Sequence, residues 1–170
     1  MNISSPRKRV LINTGVALCV IALQVTGCGE VRYRDGVMAS DPVKRIVIHG
    51  DVGVIELVPG TTAKVDFAVR APEGVSSVQH SESDGVLQLI ARCHTPILCA
   101  VDVEVQVPPG VAVEVDLGFG EVWATGVPDL DISVGQGEVD VDTTGRVTVQ
   151  IGQGDARVVT TGSEQIRVAV

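Results

Sequence analysis

The amino-acid sequence predicts an all-β domain whose C-terminal part is a β-solenoid-like stack of strands. Three observations lead to this fold class. Apolar and polar residues alternate in most segments after residue 43, no segment there has a sustained helical period, and a glycine-containing unit recurs at a fixed spacing. Alternation is typical of strands with one buried face, and a fixed period indicates stacked structural units.

The first 27 residues have the pattern of a secretory signal peptide. Arg7-Lys8-Arg9 precedes an apolar stretch that ends with the small residue Gly27. A basic start, an apolar run of moderate length and a small residue at the cleavage site define such a signal. A signal peptide without lipidation is one alternative to a lipoprotein signal. An uncleaved transmembrane helix is the other, because residues 10–27 reach the lower limit of spanning length.

The segment Val25-Thr26-Gly27-Cys28 resembles the bacterial lipobox. This resemblance implies that Cys28 is lipidated on its thiol, becomes the first mature residue and holds the protein to the extracytoplasmic side of the cell membrane. Two or more acyl chains anchor a protein stably, whereas one does so only marginally. We therefore expect residues 1–27 to be a lipoprotein signal peptide, 28–42 a lipid-anchored tether and 43–170 the folded domain.

The charge of the mature chain argues against nucleic acid as a partner. After Cys28 the sequence has ten Lys or Arg residues and 21 Asp or Glu residues, a formal net charge of −11. From Asp102 to Asp155 there are 11 acidic residues and a single base, Arg146. Because phosphate binding needs clustered Lys and Arg side chains, the acids predict a solvated face instead.

Cys93 and Cys99 are expected to form a disulfide. Cys19 is removed with the signal and Cys28 is the lipidated residue, so these two cysteines remain in an oxidising compartment. The alternative is a metal site made of Cys93, His94 and Cys99, which lacks the fourth ligand of a structural zinc site.

Local patterns predict individual strands and turns. In residues 64–70 and 101–107, valine or phenylalanine occupies every second position. The second run ends at Pro108-Pro109-Gly110, as expected at the end of a strand. Asp84-Gly85 predicts a tight turn between two strands.

A 17-residue repeat is clearest in residues 113–170. Its most regular part is an apolar residue followed by Gly-x-Gly-acid, in the segments Leu117-Gly118-Phe119-Gly120-Glu121, Val134-Gly135-Gln136-Gly137-Glu138 and Ile151-Gly152-Gln153-Gly154-Asp155. Glycine tolerates positive φ and suits a corner, and Thr-Gly pairs mark a second corner. We expect each coil of about 17 residues to contain two strands and two corners. A phosphate-binding loop is the alternative, but it needs a following helix or Lys.

The repeats, an opening Gly50-Asp51-Val52-Gly53-Val54 and the valine-rich segment after Cys99 together resemble the bacterial putative-adhesin family of β-strand repeats, a domain of unknown function. The resemblance covers most of residues 43–170. It implies a right-handed β-solenoid in an exported lipoprotein of a monoderm bacterium, and it carries over no catalytic residues.

The sequence predicts a non-enzymatic protein without a cofactor or a bound metal. His49, His80 and His94 share no motif with a Ser or Cys nucleophile. Neighbouring carboxylates such as Asp140 and Asp142 alternate with valine, which is typical of a polar strand face. The alternative is a β-helix enzyme that acts on polysaccharide with clustered Asp residues.

Phe119 and Trp123 are the candidate contact surface. Because Val122 and Ala124 are expected to point inward, Trp123 should point outward, near Phe119 at the corner. Exposed aromatic side chains are common anchors of binding sites. We therefore expect a binding module or an envelope structural element whose partner is an envelope protein or a glycan. The alternative is that residues 43–110 cover both rings, which would then belong to the ordinary core.

The corner acids Glu121, Glu138 and Asp155 share one position in successive repeats. The spacing of strands would place them about 4.8 Å apart, where like charges are destabilising. Water and salt are expected to screen these charges. A bound Ca²⁺ ion, which takes carboxylate and carbonyl oxygens as ligands, is the alternative.

Overall fold

The computed structural model describes residues 33–40, 42–160 and 166–169, and these form an all-β structure, as predicted. The predicted signal peptide and Cys28 lie outside the described residues. Within the described ranges, no helix is long and apolar enough to cross a membrane. The strands are β1 (Tyr33–Met38), β2 (Arg45–Pro59), β3 (Lys64–Arg70), β4 (Ser76–Ser83), β5 (Val86–Cys93), β6 (Ala100–Val107), β7 (Ala112–Thr125), β8 (Leu130–Thr143), β9 (Val147–Thr160) and β10 (Ile166–Ala169), with a turn of 3₁₀-helix at Pro96–Leu98.

The ten described strands belong to one sheet in which β2 has a central place. Neighbouring strands follow the order β1-β3-β6-β2-β7-β8-β9-β10, while β5 pairs with the first half of β2 and β4 pairs with β5. β2 is parallel to β5, β6 and β7, and the successive pairs from β7 to β10 are parallel as well. The pairs β1–β3, β3–β6 and β4–β5 are antiparallel. β2 therefore lies between strands that follow it in the sequence.

Neighbouring repeats pair with a constant offset of 17 residues. Val113 of β7 lies opposite Leu130 of β8, which lies opposite Val147 of β9. The predicted spacing is thus the register between parallel strands. Each repeat, however, contains one strand of 14 residues where two shorter strands were expected. The Gly-x-Gly segment continues to pair with its neighbours while the chain bends, so the strand is not interrupted.

The bend is visible in the burial pattern of each repeat. In β7, Leu117 and Val122 are both buried although five positions separate them, so the alternation changes phase across the glycines. Both halves of the strand therefore direct their apolar side chains into one core. The largest fully buried side chains come from both halves and include Ile46, Ile48, Ile55, Leu57, Leu87, Leu89, Leu117 and Ile132.

Glycines form the bend because the neighbouring backbone occupies the place of a side chain. Gly120 and Gly137 have φ of +142° and +152°, and a Cβ atom on either would overlap a carbonyl oxygen of the strand beside it. For Gly120 that oxygen belongs to Gly53, and for Gly137 it belongs to Gly120. Close approach of backbones explains the repeated glycine better than a ligand does.

The chain turns after β8 at one of the predicted Thr-Gly pairs, Thr144-Gly145. Thr143 is buried, and its hydroxyl donates a hydrogen bond to the carbonyl oxygen of Val127 at 2.6 Å. The same hydroxyl oxygen accepts a hydrogen bond from the backbone N–H of Gly145 at 3.2 Å. A buried hydroxyl costs little when both its bonds are made, so this threonine ties one return turn to the previous one.

Candidate binding surface

Strand β6 and the second halves of β2, β7, β8 and β9 present an acidic face, which we call the acidic wall. It consists of the outward-facing side chains of residues 102–106, 54–58, 121–125, 138–142 and 155–159, in the spatial order β6, β2, β7, β8 and β9. Eight of these side chains are acidic and one is basic. The acids are Asp102, Glu104, Glu56, Glu121, Glu138, Asp140, Asp142 and Asp155, and the base is Arg157.

Trp123 lies at the centre of the acidic wall. It is on β7, the middle of the five strands, and its neighbours on the adjacent strands are Glu56 and Asp140. Its indole Nε1 donates a hydrogen bond to Glu121 Oε2 at 3.1 Å, and 46% of the residue is exposed. The predicted outward orientation of Trp123 is confirmed.

Phe119 is exposed as well, but it lies at the corner. Its exposed fraction is 52%, and its neighbours on the adjacent strands are Val52 and Gln136. The structure shows no stacking of Phe119 on Trp123, and the ring pair in the described residues is Tyr33 with Phe67, at a centroid distance of 5.6 Å. The acids, rather than a second aromatic ring, are thus the close surroundings of Trp123.

Cations neutralise some of the acids near Trp123. Arg157 Nη1 donates to both carboxylate oxygens of Asp140, at 3.1 and 3.0 Å. Arg70 from β3 binds Asp102 at 2.7 Å. Glu56 and Glu104, which lie opposite each other on β2 and β6, have no cation within ion-pair distance among residues 33–40, 42–160 and 166–169.

The acidic wall contains two depressions that share Val54 and Glu56. The smaller, of about 270 Å³, is lined by Val54, Glu56, Glu121 and Trp123. The larger, of about 590 Å³, extends over β6 and β3 towards β1. Its lining residues are Arg34, Asp35, Val54, Glu56, Lys64, Asp66, Phe67, Ala68, Asp102, Val103 and Glu104. Five carboxylates and two cations thus meet in one groove.

Asp35, at the far side of the larger depression, is held in its charged form. The Tyr33 hydroxyl donates a hydrogen bond to it at 2.8 Å, and the backbone N–H of Gly36 donates another. These bonds lower the pKa of Asp35, and the same contact raises the pKa of Tyr33. A general acid needs a raised pKa, so Asp35 is unsuited to that role.

The other wall, formed by the first halves of the strands, carries fewer acids. Arg45 lies 3.6 Å from Glu114, and His49 Nδ1 lies 3.6 Å from Asp116. Asp131 is exposed on β8 without an ion-pair partner in the described part of the chain. The charge of this wall is therefore more balanced than that of the acidic wall.

No protein-family model matches the chain, and no curated protein sequence matches it. Among solved structures, a putative cell adhesion protein from Clostridium sporogenes ATCC 15579 is similar at 11% identity and a TM-score of 0.41, over 81% of this chain and 98% of that one. A putative adhesin from Parabacteroides distasonis ATCC 8503 is similar at 12% identity and a TM-score of 0.30, over 79% and 64%. Likenesses at this level carry no inference about function.

The corner acids are neighbours, as their spacing predicts. Glu121 lies opposite Glu138, and Glu138 lies opposite Asp155. Among the described residues, no three His, Cys, Asp or Glu side chains gather closely enough to hold a metal ion. Cys93 and Cys99 form the predicted disulfide, with a Cα–Cα distance of 5.6 Å. Their thiolates are therefore not free for the alternative metal site with His94.

Two features of the surface were missed by sequence reasoning. Ile97 and Leu98, between the paired cysteines, are 94% and 57% exposed. Their apolar character within a short cystine loop was the available signal. The second feature is the place of Glu56 directly opposite Trp123. The sequence gives no local signal for it, because the two residues lie on strands that are far apart along the chain.

Proposed function

We propose that the chain is a membrane-anchored extracytoplasmic lipoprotein, whose folded domain is a non-enzymatic, adhesin-like binding module or an envelope structural module. The observation that carries the binding role is the exposure of the sole tryptophan at the centre of a charged wall. A large aromatic side chain left in water by a regular sheet is a typical anchor for a partner. The partner is an envelope protein or a glycan.

We further propose that the repeats are coils of a right-handed β-solenoid, as in the adhesin-like family that the sequence resembles. The constant 17-residue register of β7, β8 and β9 supports this architecture. The glycine-to-glycine contacts at the bend support it too, because they recur at the same level in each strand. Such a stack is a rigid support for a binding face, since each strand is held on both sides.

The membrane anchor is assigned to Cys28 on the basis of the lipobox-like segment that ends there. Cell fractionation of the native protein and a Cys28→Ser variant tests this assignment. The native protein is expected in the membrane fraction, and the variant is expected either to accumulate as precursor or to be released. Equal membrane retention of both forms at precursor size would instead support a helical anchor.

The binding role is tested by crosslinking in intact cells. A photo-reactive residue replaces Thr125, which is exposed on the acidic wall, or Ser133, which is exposed on the other wall. We expect a defined crosslinked species from position 125 that is absent from position 133 and is lost when Trp123 is replaced by alanine. Identical products from the two positions would contradict a specific surface at Trp123.

A polysaccharide-active enzyme is the second candidate, because the larger depression brings five carboxylates together with Arg34 and Lys64. Three of the five carboxylates, however, have partners already, namely Asp35 with Tyr33, Asp66 with Lys64, and Asp102 with Arg70. Glycoside hydrolysis needs one carboxyl to act as an acid. Release of reducing ends from a polysaccharide panel, abolished by Glu56→Gln, would favour the enzyme over the binding module.

A further inference from the structure

We propose that the acidic wall docks a cationic polypeptide segment, with a Lys or Arg side chain seated against Trp123 and Glu56. This inference rests on the proposed binding role and specifies the chemistry of the partner. It depends on three features of the wall. They are the excess of negative charge, the pair of carboxylates that has no cation partner among the described residues, and the position of the indole ring.

The charge excess favours a cationic partner over every other class. Eight acidic side chains and one basic side chain face outward on the wall. Such a field attracts positive ligands and repels nucleic acids, anionic lipids and uronic acid polymers. A neutral glycan would gain nothing from these charges, although it could stack on a tryptophan.

Arg157 demonstrates on this same wall how a guanidinium is bound. It follows Asp140 in the column of side chains that runs across the strands through Trp123, and it contacts both carboxylate oxygens. Charge-assisted contacts of this kind are the stronger class of hydrogen bond. On one side of Trp123, the neighbouring carboxylate of Asp140 is thus already paired with an arginine of the same chain.

Among the described residues, no such cation lies on the opposite side of Trp123. Glu56 is its neighbour on β2, and Glu104 is the neighbour of Glu56 on β6. Carboxylates opposite each other on adjacent strands are destabilising when no cation separates them. A Lys or Arg side chain of a partner would relieve this repulsion in the depression lined by Val54, Glu56, Glu121 and Trp123.

The indole ring is held ready for a cation. Its Nε1–H is engaged with Glu121, which restrains the ring, while nearly half of the residue remains accessible. A Lys or Arg group within about 6 Å of an indole centroid is attracted by the ring face. The carboxylates around the ring strengthen the preference for a positive ligand over a neutral one.

The sole tryptophan of the chain supplies the readout, because its fluorescence reports on this site alone. The full-length protein, solubilised in a non-ionic detergent, is titrated with acetylated tetra-arginine amide, with tetra-glutamate and with chitotetraose. We expect a saturable change of emission with tetra-arginine, weakened by added salt, and none with tetra-glutamate.

Two variants that remove one charge each separate the site from the overall charge. Glu56→Gln is expected to weaken tetra-arginine binding about fivefold, the equivalent of one well-placed ion pair. Asp131→Asn, on the other wall, removes an exposed acid that has no ion-pair partner in the described part of the chain, and it is expected to leave the affinity unchanged. Both variants keep Trp123 as the reporter, and far-ultraviolet circular dichroism verifies that each is folded.

Two results would overturn the inference. One is the absence of a response to tetra-arginine, and the other is equal weakening by Glu56→Gln and Asp131→Asn, which would indicate unspecific attraction. A response to chitotetraose alone, or a crosslink at position 125 without tetra-arginine binding, would reject the cationic partner while leaving the binding module intact. Failure of the crosslink as well would reject the proposed binding role.

Discussion

Two kinds of corner bend the chain at the same level of the sheet. Between Gly50 and Ile55, which pair with β5 and β6, β2 makes its bend with residues 51–54. The β5–β6 chain passes the same level with residues 92–102, which contain the Cys93–Cys99 disulfide and the exposed turn of 3₁₀-helix. One corner is short and depends on glycine, while the other is long and depends on a covalent bond.

The difference shows what each corner needs from its surroundings. A glycine corner lets the next backbone approach, so its stability comes from the strand beside it. The cystine corner exposes Ile97 and Leu98 and is closed by its own covalent bond, so part of its stability is local. Asp51 is part of the glycine corner of β2 and lies beside the cystine corner. At the same level of β7 the residue is Gly118. The longer corner beside Asp51 leaves room for a side chain.

The largest expected effect comes from adding a methyl group to a glycine corner. Gly137→Ala is expected to cost about 4 kcal/mol of unfolding free energy, because the backbone is strained at positive φ and the Cβ overlaps the carbonyl oxygen of Gly120. Gly110→Ala is the control, since Gly110 also has positive φ but open space around it. It should cost about 1 kcal/mol. Urea unfolding measures both variants. Equal losses of unfolding free energy would mean that contact with the neighbouring strand adds nothing to the cost of the alanine.

Opening the cystine corner is expected to have a smaller effect. The Cys93→Ala, Cys99→Ala double variant should lose about 2 kcal/mol, the chain-entropy value for so short a loop. Urea unfolding with and without reductant measures the same quantity in the native protein. The double variant is the control, because its stability should not respond to reductant. If reductant did not change the stability of the native protein either, the corner would be stabilised by packing rather than by the disulfide.

The glycine corners could be predicted from the sequence because their cause is local and repeated. A Gly-x-Gly unit at a fixed period fixes the offset between strands, and the structure has that offset. Alternation around Val122 and Ala124 was likewise enough to place Trp123 on the outside. Such features depend on residues that are close in the sequence, so they can be predicted from one sequence.

The composition of the acidic wall could not be predicted in the same way. Glu56 reaches Trp123 because β2, an early strand, is enclosed between β6 and β7. The pairing of β2 with the repeat strand β7 is hard to recognise in the sequence, because Asp51 stands where the other repeats have the first glycine of Gly-x-Gly. The order of strands is set by long-range packing, and no local residue pattern encodes it.

Removing the link between the two kinds of corner is expected to have a moderate effect. One carboxylate oxygen of Asp51 accepts the backbone N–H of Cys93 at 2.8 Å, and the other lies 3.0 Å from Arg92 Nη1. Asp51→Ala should cost about 1 kcal/mol, because the amide loses its acceptor. Asp51→Asn keeps an acceptor and should cost less. Faster hydrogen exchange at the Cys93 amide in the alanine variant is the second measurement, and unchanged exchange would contradict the link.

The smallest expected effect concerns the charges at the glycine corners. Glu138 lies between Glu121 and Asp155 on the neighbouring strands, so Glu138→Gln removes two repulsive contacts. These side chains are exposed, and the expected gain is a few tenths of a kcal/mol. Added salt should stabilise the native protein more than the variant, because screening acts on the same repulsion.

Thermal unfolding at fixed ionic strength then separates screening from cation binding. If Ca²⁺ raised the melting temperature of the native protein but not of the Glu121→Gln, Glu138→Gln variant, a bound ion rather than screening would relieve the corner.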